Sequence, residues 1–304
     1  MEDSKNNRSS IQGDHEIYCC GARVQISPKG VRVLSEPTVE RCPLHAAMYG
    51  TKKIDSEAVR KSVEMKIAGH VFCCASRAFD AEPIVAYGAS EMMHVWLSER
   101  LIDCAVVVCE GTGTVITSNG ALVQAIGARL TGMIKTSPIQ QIIERIEVDG
   151  GVILDKANAR IDQLEGVKRA FDLGYKYIAV SVAGFQSKTI SEIRDFEASV
   201  KADVFVFSVC NTCVRDADVK HIAKADVVCA SASKILRKEI GSKALLQLGV
   251  TIPVYALTEK GKRLVLAYLT ELKDKLVIFR TSKLPYLTKD KGPKLKDSVN
   301  NQNT

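Results

Sequence analysis

Between Pro83 and Phe279 short apolar runs rich in β-branched residues alternate with amphipathic stretches that have recognisable ends, and this alternation constrains the fold more than any other feature. Cys104 to Cys109 is an unbroken apolar run, as expected of a strand covered on both faces. Strands are expected at Ile84 to Tyr87, Val152 to Leu154, Tyr177 to Val182, Val204 to Val209, Asp226 to Cys229, Ile252 to Ala256 and Leu276 to Phe279. Helices fall between them. Ser137-Pro138 opens one with Ile139, Ile142, Ile143 and Ile146 as its buried stripe, another runs from Asp162 to Leu173 and ends at Gly174, and further helices are expected over Thr189 to Val200, Asp216 to Ala223, Ser233 to Leu248 and Thr258 to Lys273. Neighbouring parallel strands need helical crossovers, so the pattern predicts an α/β fold with a mainly parallel sheet and helices on both faces.

Four regions are expected. Residues 1–16 are polar and aperiodic and read as disordered. Residues 17–82 form a small N-terminal β-hairpin and helix element: Tyr18 to Ile26 and Val31 to Leu34 flank the turn Ser27-Pro28-Lys29-Gly30, and Val59, Val63 and Ile67 form a helical stripe behind Asp55 or Ser56. Residues 83–280 make the α/β domain, with a subdivision allowed near 150–160, and residues 281–304 read as a basic flexible tail. A net charge of +7 is dispersed apart from Lys289, Lys291, Lys294 and Lys296, which argues against nucleic acid. No apolar run is long enough to span a bilayer, and the polar start lacks the apolar core of a signal peptide, so a cytoplasmic protein without membrane partners is expected.

Ten cysteines are many for such a chain. Ligands of open α/β sheets sit beyond the carboxyl ends of the strands, and Cys109, Cys210, Cys213 and Cys229 all fall at such predicted ends. Thiolates at that edge, two of them in Cys210-Asn211-Thr212-Cys213, suit zinc or an iron–sulfur cluster. The competing reading is that cysteine ends apolar strands as a small buried hydrophobe. Cys42-Pro43-Leu44-His45 is a secondary candidate for a metal or an activated thiol, against a plain turn with a surface histidine. Cys19-Cys20 and Cys73-Cys74 fit no metal spacing, since neighbours on a strand face opposite ways.

Glu110-Gly111-Thr112-Gly113-Thr114 follows a buried strand and is the best anion site. Its glycines would let the backbone approach a ligand and the Thr112 and Thr114 hydroxyls would donate, although a tight turn demanded by the fold explains it equally. Lys234 would add an anion contact at the start of its helix. Ser231-Ala232-Ser233-Lys234 lacks the companion motifs of acyl-enzyme chemistry, and Glu91 with His94 lacks the second pair of a di-iron site.

As a set, Glu40-Arg41-Cys42-Pro43-Leu44, Tyr87-Gly88-Ala89-Ser90-Glu91, the run from Val106 to Ile139 (VVVCEGTGTVITSNGALVQAIGARLTGMIKTSPI), Gly150 to Asp155, Ala159 to Ala183 and Ala225 to Lys234 resemble the methanogenesis marker protein 8 family. The resemblance covers roughly Tyr18 to Leu266. It implies an archaeal protein of methanogenesis or related anaerobic one-carbon metabolism, with other methanogenesis-associated proteins as partners. It brings no list of catalytic residues.

Three functions are compatible with these residues. The first is an accessory or maturation protein that binds a metal, an iron–sulfur cluster or a thiol cofactor through Cys109, Cys210, Cys213 and Cys229. The second is an enzyme acting on a phosphorylated or carboxylated small molecule, with Cys109 as nucleophile, Glu110 as acid or base, and Gly111 to Thr114 with Lys234 as the anion site. The third is a binding module whose cysteines are buried.

Overall fold

The computed structural model describes residues 10–127, 132–288 and 291–296. Its elements run β1 (His15–Cys19), β2 (Ala22–Ser27), β3 (Gly30–Val33), β4 (Val39–Arg41), α1 (Pro43–Tyr49), α2 (Ser56–His70), α3 (Ala89–Ser98), β5 (Cys104–Cys109) and β6 (Gly113–Thr117). They continue with α4 (Gly120–Gly127), β7 (Gly132–Lys135), α5 (Gln140–Val148), β8 (Val152–Ile153), α6 (Gln163–Asp172), β9 (Tyr177–Ala183), α7 (Lys188–Ser199) and β10 (Asp203–Val209). The last are α8 (Asp216–Ile222), β11 (Val227–Cys229), β12 (Leu246–Leu248), β13 (Val254–Ala256), α9 (Glu259–Glu271) and β14 (Lys294–Leu295).

An eight-stranded sheet in the order β12-β13-β11-β10-β9-β5-β6-β8 forms the centre. Its middle, β11-β10-β9-β5, is parallel, and antiparallel pairs extend it at both sides. The strands alternate as the two-residue period requires. Ala105, Val107, Phe205 and Phe207 enter one apolar core with Met92, Trp96, Ile126, Ile142 and Val265, while Cys104, Val106, Val204 and Val206 enter another with Val167, Ile190, Ile193 and Ile222. Asp55, Asp162 and Thr258 cap their helices by accepting the backbone N–H of Ala58, Glu165 and Gly261. These are the oxygen side chains that a helix start favours.

The N-terminal element is larger than a hairpin. β3-β2-β1-β7 form a four-stranded antiparallel sheet, so a strand from 132–135 completes what residues 15–33 begin. The expected strand Tyr18 to Ile26 is broken at Cys20-Gly21, where both residues take positive φ (51° and 78°), the geometry of a tight two-residue hairpin turn. The turn at Ser27 to Gly30 stands as expected. Ile11 bridges Cys74 and Gln12 N–H donates to Cys73 O, which gives residues 10–16 structure where disorder was expected; residues 1–9 lie outside the described residues. Lys294–Leu295 of the expected tail pair with β4, and Leu295 is buried.

Three expected elements differ. Ile84 to Tyr87 is not a strand, because the N–H groups of Ile84 and Val85 donate to the Glu91 carboxylate instead of to a neighbouring strand. The helix expected over Ser233 to Leu248 shrinks to one wide π-type turn at Leu236–Ile240 and a short turn at Gly241–Lys243; the chain then enters β12, which returns through Gly249 (φ 69°) to β13. Leu276 to Phe279 is apolar but pairs with no strand among the described residues.

Candidate functional site

The carboxyl ends of β9 and β10 and the loop after β11 open on a cavity of about 450 Å³. Val107 and Val108 of β5, Ser181 of β9 and Val209 of β10 form its floor. The turn Cys19-Cys20-Gly21 between β1 and β2, the segment from Cys42 into α1, and Lys66 and His70 of α2 cover it from the small sheet. This is the edge where open α/β sheets hold ligands.

Five thiols line the cavity: Cys19, Cys20, Cys42, Cys210 and Cys213. Cys229 stands beside them, close enough that its charge would push the Cys210 thiol up. All ten cysteines are free thiols. Cys20, Cys210 and Ser231 take left-handed backbone conformations (φ 51°, 54° and 50°), which cost a non-glycine residue about 1–2 kcal/mol each. Strain of this kind gathers where surrounding structure holds a side chain in place for function. Here it turns the Cys20 and Cys210 side chains to the cavity wall.

The cavity also sets the acidity of these groups. A hydrogen bond from Cys20 to Cys19, helped by the Lys66 charge, outweighs burial and draws the Cys19 thiol down, while Cys20, the donor of that bond, is raised. Desolvation by the surrounding protein pushes Cys210 up to about 12 and also raises Cys213 and Cys229, although Cys210 and Cys213 keep exposed surface. Lys66 is lowered by burial and drawn back by the charges of Cys19, Cys210 and Cys20. A thiol lowered in this way carries more thiolate at neutral pH than an ordinary cysteine, and the thiolate is the form that acts as nucleophile or metal ligand.

Of the four cysteines expected at the strand ends, the structure brings three together and separates one. Cys109 ends β5 but lies in the apolar core, where burial raises its thiol and its Sγ–H donates to Glu110 O at 3.2 Å. Cys73 and Cys74 neighbour it, not the cavity. Glu110 is fully buried and paired with the equally buried Arg77, whose remaining N–H groups donate to the carbonyls of Ala78, Ala125 and Ile126. That pairing leaves the carboxylate facing a guanidinium rather than a substrate.

The Gly111 to Thr114 segment is the turn of the β5–β6 hairpin, with Cys109 facing Gly113. Gly111 N–H donates to Thr136 Oγ1 at 2.7 Å, Thr114 N–H to Arg160 O at 3.0 Å, and Thr114 Oγ1 to Gln163 Oε1 at 2.9 Å. A side chain at Gly113 would meet the carbonyl oxygens of Ala159 and Arg160 at 2.3 and 2.4 Å. The glycines therefore admit the protein's own backbone, and Gly111, Thr112, Gly113 and Thr114 are buried and line no part of the cavity. Lys234 is exposed and likewise outside it.

Cys42 and His45 both line the cavity, and His45 is buried rather than a surface histidine. Among the described residues no three His, Cys, Asp or Glu side chains are grouped so as to hold a metal ion. Sequence reasoning missed Cys19, Cys20 and Lys66. The signals were a Cys-Gly pair of hairpin-turn type and a lysine on the stripe of α2 that also carries Val59, Val63, Ile67 and His70. No helix among the described residues is long and apolar enough to cross a membrane.

Among curated proteins, an uncharacterized protein of Methanocaldococcus jannaschii is 38% identical over 276 residues, which is 90% of this chain and 95% of that protein. A family model described as "uncharacterized protein conserved in archaea" (DUF2099) matches residues 15–270, spanning both the small sheet and the large one. The cavity between these sheets thus lies wholly within the matched region, and the chain belongs to this archaeal family.

Proposed function

We propose that the cavity is a thiol-based binding site for a small molecule, and that Cys19 meets this ligand as a thiolate. The observation that carries the reading is the convergence of Cys19, Cys20, Cys42, Cys210 and Cys213 with Lys66 on one apolar-walled cavity at the strand ends. On this reading the sheet is covered by helices on both faces, and its strand-end edge is where a ligand enters. A thiol-carrying cofactor, or a metabolite with a centre that a thiolate attacks, suits the site. The methanogenesis-associated role and partners implied by the family resemblance, and a cytoplasmic, anaerobic setting, agree with a site that depends on reduced thiols. The donors are those of a soft metal or a cluster, though among the described residues no three are grouped to hold one ion.

The test is residue-resolved alkylation. Full-length protein purified without oxygen is treated with iodoacetamide between pH 5 and 9, and each cysteine is followed by peptide mass. Cys19 is expected to react with a pH midpoint below that of an ordinary thiol and below that of Cys210, which desolvation raises although the residue is exposed. If Cys19 is as inert as the core residues Cys104 and Cys109, the proposal fails. Metal and acid-labile sulfide assays on the same protein decide whether an ion or cluster accompanies the thiols.

A further inference from the structure

The chain after α9 carries apolar residues that neither the core nor the cavity uses. Val277 is 92% exposed, Ile278 78% and Phe279 56%, and Leu276 before them is exposed as well. Met65, Val148 and Tyr177, the other large apolar residues more than half exposed among the described ones, are isolated in the sequence, as surface apolar residues commonly are. The run from Leu276 is extended into a patch by Tyr286, whose ring meets that of Phe279 edge-on with centroids 5.0 Å apart. Tyr286 is fixed in turn to the edge of the large sheet: its N–H donates to Gln247 Oε1 at 2.9 Å and its carbonyl accepts from Gln247 Nε2 at 2.6 Å. The base of the patch is thus tied to β12, while its tip stands in solvent. Consecutive exposed apolar residues of this kind mark a surface that meets another apolar phase.

The charge around the run identifies that phase. Lys273 and Lys275 precede it, Arg280 and Lys283 follow it, all four are exposed, and Asp274 is the only acid between Leu272 and Thr288. Lys294 and Lys296 further on are instead paired with Glu40 and Glu36. Four successive exposed side chains make the run apolar all round rather than on one face, which suits a medium that surrounds a tip more than a groove that covers one side. Cations on both flanks then lie at headgroup depth, where the negative surface of an anionic bilayer attracts them, and tyrosine favours the same layer. A chain with no apolar run long enough to cross a bilayer can dock on its surface in this way. We propose that residues 273–287 dock this protein on an anionic lipid bilayer, with Val277, Ile278 and Phe279 entering the boundary between headgroups and acyl chains. The inference is independent of the cavity and goes beyond its proposed role.

Co-sedimentation of the full-length protein with unilamellar vesicles tests it. Vesicles of equal parts phosphatidylglycerol and phosphatidylcholine are expected to capture the protein. Phosphatidylcholine alone should capture it at least about tenfold less, since each basic residue near an anionic surface is worth about fivefold in partition. Salt raised to about 1 M, where the Debye length falls to about 3 Å, should remove most of that difference. Val277→Asp with Ile278→Asp is expected to abolish capture, Lys275→Gln with Arg280→Gln to weaken it about 25-fold, and Lys294→Gln with Lys296→Gln to leave it unchanged. Fluorescence of the buried Trp96 reports that each variant is folded. No capture by the anionic vesicles, equal capture by the neutral ones, or capture that survives Val277→Asp with Ile278→Asp overturns the proposal. So does a lipid-free protein whose self-association those two substitutions abolish while vesicles leave it in solution, because the patch is then a contact between copies of this chain. Alkylation of Cys19 without lipid is expected to be the same in all these variants, so failure here leaves the cavity reading standing.

Discussion

Replacing Arg77 tests the assignment of Glu110 to the core. Arg77 and Glu110 are 1% and 0% exposed and form an ion pair with no solvent to screen it. Arg77→Met removes the partner of a buried carboxylate and three hydrogen bonds to the carbonyls of Ala78, Ala125 and Ile126, at 2.9, 3.0 and 3.3 Å. Breaking a buried pair from one side costs about 3–5 kcal/mol, because a charge is left in a medium that cannot solvate it. Glu110→Gln should cost less, about 1–3 kcal/mol: the guanidinium keeps those carbonyls and the face of Phe79, 4.3 Å from its carbon to the ring centroid. Arg77→Met with Glu110→Gln should be more stable than Arg77→Met alone, with a coupling of about 1.5–3 kcal/mol. Urea unfolding followed through the single tryptophan reads all four proteins. Trp96 is buried, donates Nε1–H to Leu264 O at 2.7 Å and meets Phe205 edge-on, so its emission shifts when the core opens. Single variants that each cost under about 1 kcal/mol, or additive costs, would refute a structural pair and return Glu110 to the list of catalytic acids.

Further outcomes follow from the same geometry. Cys20→Ala removes the hydrogen bond that acidifies Cys19, and the pH midpoint of Cys19 alkylation should rise toward the ordinary thiol range; the rate at pH 7 changes less, since a less acidic thiolate is the better nucleophile, so the midpoint is the quantity to measure. Gly113→Ala and Gly150→Ala both place a side chain at positive φ (73° and 83°), but only the first meets backbone oxygens within 2.4 Å. Denaturation should show about 1–2 kcal/mol for Gly150→Ala and clearly more for Gly113→Ala; equal costs would contradict the close packing of the β5–β6 turn on Ala159 and Arg160.

The alternation of strand and helix was legible in the sequence because each parallel strand carries its own apolar run and the helices have recognisable ends, two of which the structure closes with side-chain caps at Asp162 and Thr258. What the sequence concealed were long-range pairings. Nothing local says that Gly132–Lys135 joins β1, or that Glu91 takes the N–H groups of Ile84 and Val85 and stops them forming a strand. Gly111 and Gly113 illustrate the same limit: two glycines after a buried strand serve a phosphate cradle or a tight hairpin, and only the facing chain at Ala159 decides. The thiols were legible in part. Cys210, Cys213 and Cys229 were placed at the right edge, Cys109 at a strand end that is roofed by α4 and α5 residues in the apolar core, and Cys19-Cys20 was set aside on a rule for extended strands that a turn at Cys20 does not obey.

Thiols from residues 19–42 and from residues 210–213 line one cavity. Dibromobimane, a short reagent that fluoresces when it bridges two thiols, tests this on the reduced, anaerobic protein, with the bridged peptides identified by mass. The account predicts bridges joining Cys19, Cys20 or Cys42 to Cys210 or Cys213, suppressed when Cys210 and Cys213 are both replaced by serine, and none to Cys104 or Cys109. Absence of any bridge between the two segments, or bridges formed chiefly by Cys104 or Cys109, would contradict it.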